Sequence, residues 1–183
     1  MRRIPFLSLS LSLSLALAGA ASAQAGDGDE ARIRSALSAA PESVAEQGTV
    51  ANFDGTILRE GTNGWVCMPD MPSVANDAPM CLDETWREVI DAWQNRREPR
   101  VTGLGISYML QGDLPVSNTD PFAEGPTEDN EWIEDGGPHI MVVVPDPSVL
   151  DQLPTDPDNG GPWVMWKGTP YAHLMIPTVP RPK

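Results

Sequence analysis

The sequence predicts an α+β fold: an antiparallel or mixed sheet of five to seven strands with one or two helices packed on one face. Three observations carry this. Two tight-turn dipeptides, Asp54-Gly55 and Asn63-Gly64, sit close together between short apolar runs, which is the local signature of antiparallel hairpins. Residues 101–111 alternate strictly, and residues 139–144 form an almost continuous apolar run, as half-buried and fully buried strands do. Ahead of these two strands lies one strongly amphipathic segment, 83–94, with helical periodicity. A two-layer arrangement of sheet and helix buries all of these faces together.

The elements follow in order. Residues 1–25 open with Met1-Arg2-Arg3, continue through an apolar and serine-rich run, and end in small residues, with exits after Ala23 or Ala25. That is the pattern of a cleaved secretory signal peptide, and it leaves residues 26–183 as a single α+β domain. Asp29 is placed to cap a short helix whose apolar positions are Ile33, Ala36, Leu37 and Ala40, and Pro41 ends it. Residues 49–53 and 56–59 read as strands flanking Asp54-Gly55, and Trp65-Val66-Cys67 begins a third after Asn63-Gly64, which together suggest an antiparallel meander. Asp83 caps the main helix, where Trp86, Val89, Ile90 and Trp93 share a face; the two indoles read as anchors against a sheet.

In the strand at 101–111, Leu104, Ile106, Tyr108 and Leu110 share one face. Gly103, Gly105, Ser107 and Met109 share the other, and its small residues suit close approach of a helix or the floor of a cleft. The acidic stretch 112–138 is long for a connection without regular structure. It reads either as a functional lid or as a loop pinned by Phe122 and Trp132. The run His139-Ile140-Met141-Val142-Val143-Val144 reads as a central strand buried on both faces. A turn or two of helix follows at 145–153. Residues 160–177 form a closing hairpin, and a proline-rich tail ends the chain.

Composition narrows the partners. The 183-residue chain has 26 acidic and 12 basic residues, a formal charge of −14. Loss of Arg2 and Arg3 with the signal peptide makes the remainder more negative still. Such a surface repels nucleic acid and anionic lipid and favours cations or basic partners. No segment after the leader has the length and apolarity of a membrane span. The two cysteines, Cys67 and Cys81, read as a disulfide in an oxidising compartment. The closed loop of 15 residues corresponds to about 3 kcal/mol in the chain-entropy picture.

The segments GTNGWVCMP, TGLGISYMLQG, SNTDPFA, GPHIMVVVPDP and GGPWVMWKGTPYAHLMIP together resemble a family of secreted bacterial proteins of unassigned function. The resemblance spans most of residues 26–183. It implies a recurring domain, with no activity or site residue to carry over.

Chemistry therefore rests on the residues themselves. There are two histidines, His139 and His173, each at the start of an expected strand. If those strands run parallel, both imidazoles sit at one end of the sheet, where a carboxylate such as Asp120 or Asp135 would complete a zinc or copper site. If they run antiparallel, the pair separates. Neither H-x-H nor H-E-x-x-H occurs. The thioethers of Met68 and Met71 are too sparse for copper handling by that loop. The Asp156 loop lacks the glutamate a helix-loop-helix calcium site needs, since that position is Lys167. There is no G-x-S-x-G. A closing hairpin turning at 168–171 pairs Trp166 with His173, and beside Tyr171 these would make a stacking platform for a sugar ring or a peptide.

The leading expectation is a periplasmic or secreted non-catalytic binding or envelope-associated protein, its ligand-binding residues Trp166, Tyr171 and His173, its partner a small ligand, a glycan or an envelope protein. No cofactor is predicted on that reading. The competing expectation is a zinc- or copper-dependent enzyme or metal carrier using His139 and His173.

Overall fold

A computed structural model describes residues 27–71 and 76–180; the expected signal peptide lies outside them. The helices are α1 (Asp27–Ser38), α2 (Glu42–Ala45) and α3 (Glu84–Gln94). The strands are β1 (Thr49–Ala51), β2 (Ile57–Arg59), β3 (Val66–Met68), β4 (Met80–Leu82), β5 (Gly105–Met109), β6 (Val116–Ser117), β7 (Trp132–Ile133), β8 (His139–Val143), β9 (Trp163–Met165) and β10 (His173–Pro177), with a 3-10 helix at Pro147–Leu150. The α+β class is as expected. The strand count is not: among the described residues eight strands form one mixed, mostly antiparallel sheet, in the order β2-β1-β3-β4-β5-β8-β10-β9, and β6 pairs with β7 apart from it. The extra strand is β4, which contains the second cysteine of the closed segment and carries no alternation to announce it.

The first strands depart from a simple meander. β1 and β2 are an antiparallel hairpin, but β3 pairs with the other edge of β1 and runs parallel to it. The cause is local. The Thr62 amide donates to the Gln47 carbonyl at 2.8 Å, and the Asn63 side chain donates to the Val44 carbonyl at 2.7 Å. These bonds carry the chain across the start of β1. Cys67 and Cys81 then face each other directly across β3 and β4 and form the expected disulfide.

Helices cover both faces of the sheet, not one. Successive residues on a strand point to opposite faces, so β4 shows which helix lies where. Leu82 stands opposite Ser107 and packs with Trp86 and Val89 of α3. Cys81 stands opposite Tyr108 and packs with Ala36 of α1. Asp83 caps α3 as expected, accepting from the Trp86 amide at 2.8 Å, and its other oxygen accepts from the Ile106 amide at 2.6 Å. One carboxylate therefore ties the helix start to the sheet. Gly105 permits the close approach: a Cβ there would lie 2.8 Å from Thr85 of α3 and 2.7 Å from Val143.

The acidic stretch 112–138 contains the β6–β7 pair and is held against the body at several points. The Trp93 indole donates to the Pro121 carbonyl at 2.7 Å, and the Trp166 indole to the Ser117 carbonyl at 2.7 Å. Phe122 stacks on Trp93 and meets Tyr171 edge-on. The outer side of β9 is also occupied. The Val164 amide donates to the Pro154 carbonyl and the Trp166 amide to the Asn118 carbonyl, each at 2.8 Å.

Candidate functional site

The α3 side of the sheet holds both histidines. β8 and β10 are antiparallel, with Pro177 opposite His139 and Met175 opposite Met141. His139 and His173 therefore stand at opposite ends of the strand pair, and the parallel arrangement that a shared zinc or copper site with Asp120 or Asp135 requires does not occur. Among the described residues, no group of three or more His, Cys, Asp and Glu side chains is arranged to hold a metal.

Each imidazole is nonetheless set in the same way. The Nδ1 of His139 lies 2.6 Å from the Gly137 carbonyl, and the Nδ1 of His173 lies 2.9 Å from the Tyr171 carbonyl. A carbonyl only accepts, so Nδ1 carries the proton in the neutral ring. Both Nε2 atoms are buried without a hydrogen-bond partner, as is the Ser107 hydroxyl on the same face. His139 Nε2 lies 4.0 Å from an oxygen of Asp113. His173 is enclosed by indoles: Trp86 at 5.1 Å and Trp166 at 5.0 Å between centroids, both edge-on. Burial lowers the His173 pKa to about 4, against the Tyr171 carbonyl, which favours the charged ring; the His139 ring adds to the lowering. His173 is thus neutral at ordinary pH.

The expected stacking platform is not open. Tyr171 and His173 are 5% and 1% exposed. The Tyr171 hydroxyl donates to the Arg97 carbonyl at 2.7 Å. The pairing of the closing hairpin also differs by one residue: His173 faces Met165, not Trp166. A one-residue slip exchanges the faces of a strand. The cause is Trp166, which leaves the strand in the left-handed region at φ 54°. Its carbonyl accepts from both the amide and the hydroxyl of Thr169, which closes a tight loop on that residue. Trp166 remains partly exposed, at the rim of the His173 enclosure.

The opposite face is where the structure leaves apolar surface uncovered. Ile106, Val142 and Leu174 form one row across β5, β8 and β10, and Tyr108, Ile140 and Ile176 form the next. All six are only partly buried. α1 covers the β1–β4 side and reaches Tyr108, while Leu150 of the 3-10 helix covers Val164 and reaches Leu174. Between these two flanks lies the span from β5 to β10. Adjacent strands are about 4.8 Å apart, so the span is about 10 Å, close to the diameter of one helix. Beyond Ile176 the face runs into a cleft of about 400 Å³ lined largely by Pro157, Pro162, Pro177, Val179 and Pro180. The apolar run at 139–144 predicts burial on both faces, whereas Ile140 and Val142 are only partly buried. The signal for a surface was present in the alternation of Ile106 and Tyr108, but a sequence does not say which apolar face lacks a covering layer. The chain matches no protein-family model, no curated protein and no solved structure.

Proposed function

We propose that this is a non-catalytic binding protein of the periplasm or extracellular space, whose open sheet face receives an amphipathic helix with a basic polar side from an envelope protein. The observation that carries the reading is the pair of apolar rows on β5, β8 and β10, partly exposed and one helix wide. Contiguous apolar surface of this kind marks interaction sites, and a helix laid into such a slot is a recurring recognition mode. Charge selects the partner. The chain carries −14, and Asp146 and Asp151 bound the 3-10 helix that forms one flank. A second copy would bring the same negative charge to the contact, whereas a basic helix is attracted to it. The disulfide is consistent with the compartment. No helix among the described residues is long and apolar enough to cross a membrane.

The alternative of a zinc- or copper-dependent enzyme or carrier on His139 and His173 has the antiparallel register against it. A glycan or small ligand on Trp166, Tyr171 and His173 has the burial of the last two against it.

The test is fluorescence anisotropy with a labelled Leu/Lys amphipathic peptide and its Leu/Glu counterpart. The Lys peptide binds, more weakly as salt is raised, and the Glu peptide does not. Val142→Glu and Ile140→Glu, which place a charge on the face but leave the α3 side intact, weaken binding by about tenfold or more. Equal binding of both peptides, or no change in either variant, overturns the proposal. Concentration-dependent dimers that dissociate in Val142→Glu would assign the face to a second copy instead.

A further inference from the structure

The layer beneath α3 is richer in soft donors than an ordinary core. Met165 stands directly opposite His173 across β9 and β10, and Met141 stands directly opposite Met175 across β8 and β10. His173 and Met175 lie two positions apart on one strand and so share its face. Side chains opposite each other on such a face are about 5 Å apart at Cβ, and those two positions along about 7 Å. The three methionines and Trp86 belong to one buried cluster, and the His173 ring meets Trp86.

We propose that this layer binds one monovalent copper ion, Cu(I), between the Nε2 of His173 and the thioethers of Met165, Met175 and Met141. The ring is already arranged as a ligand. Its Nδ1 is tied to the Tyr171 carbonyl, which fixes the tautomer and orients the ring in the way that backbone carbonyls orient metal-bound histidines. Its Nε2 lone pair is buried and unpartnered, and such an atom ordinarily costs about 1–3 kcal/mol unless something satisfies it. A leucine or phenylalanine would fill the space without that cost.

The donor set decides the metal. Imidazole with thioethers selects Cu(I), while carboxylate and water select hard divalent ions. The desolvation cost of an ion rises with the square of its charge, so a divalent ion with no anionic ligand is penalised roughly fourfold more than a monovalent one. Methionine side chains are flexible enough to close on an ion from neighbouring strands. The indoles of Trp86 and Trp166 flank the ring and keep water from it. Trp166, partly exposed, forms the solvent side of the enclosure. This site uses the opposite face of the sheet from the helix-binding surface and stands independently of it.

The test is an anaerobic Cu(I) titration of the disulfide-bonded protein against a chromophoric Cu(I) chelator, with Ag(I) as a redox-inert probe and tryptophan emission as a second readout. One Cu(I) per chain is retained, with quenching of emission. Met175→Leu, a volume-conserving change that keeps the fold, lowers affinity about tenfold or more, and His173→Leu lowers it further. Met109→Leu, on the same face but beside His139, leaves affinity unchanged. Failure to retain either Cu(I) or Ag(I) overturns the proposal. So does equal retention by the wild type and a folded Met175→Leu.

Discussion

Acidification should weaken the fold through one buried ring, and the effect is separable from the carboxylates. His173 has a folded pKa of about 4, against an unfolded value near 6.5. Between those values the unfolded chain takes up a proton that the folded chain refuses. Stability is therefore fully present above pH 6.5, falls as pH drops through the window, and loses nothing more to this group below about pH 4. That difference corresponds to roughly 3 kcal/mol in all, of which about 2 kcal/mol has gone by pH 5. The assay is urea unfolding of chelator-treated protein between pH 7.5 and 4, beside His173→Leu. Acidic residues titrate alike in both proteins and cancel in the difference. Wild type loses about 2 kcal/mol relative to the variant between pH 7.5 and 5. Parallel stability curves over that range would show that the ring is hydrated or charged in the folded protein, and the account of the enclosure by Trp86 and Trp166 would fail.

Two further outcomes follow from the packing. Replacing Cys67 and Cys81 together by serine should lower stability by about 2–5 kcal/mol, read as a fall in the urea midpoint; an unchanged midpoint contradicts the clip between β3 and β4. Gly105→Ala should cost about 1–3 kcal/mol, because its Cβ would meet Thr85 and Val143 below 3.0 Å. Gly103→Ala, with nothing within 4 Å, is the matched control and should show no comparable loss.

The sequence announces this fold wherever the local signal and the tertiary outcome share a cause. α3 is legible because Asp83 caps it and its apolar residues keep one face. β8 is legible as a strand because its short run is apolar and rich in β-branched residues, although one of its faces is not covered. The path of β3 is not, since it depends on carbonyls of Gln47 and Val44 that become acceptors only once α2 is in place. The hairpin register is hidden for a related reason. Left-handed backbone is usually flagged by glycine or asparagine, and here a tryptophan adopts it. That single residue exchanges which side chain opposes His173, and so brings Met165 to it in place of an open aromatic platform. The separation of the histidines is a matter of strand direction, which the composition of the two strands does not encode.

The carbonyls of Pro154 and Asn118 that occupy the rim of β9 also govern how copies of this protein meet one another. An exposed strand rim with free amides is a template on which identical chains add end to end. On this side the amides of Val164 and Trp166 are already spoken for, and on the far side β2 is only three residues long. Lateral growth is thereby discouraged at both ends, while the apolar rows on β5, β8 and β10 face the perpendicular direction. A chain so arranged keeps its sheet edges from templating end-to-end addition while leaving apolar side chains on one face.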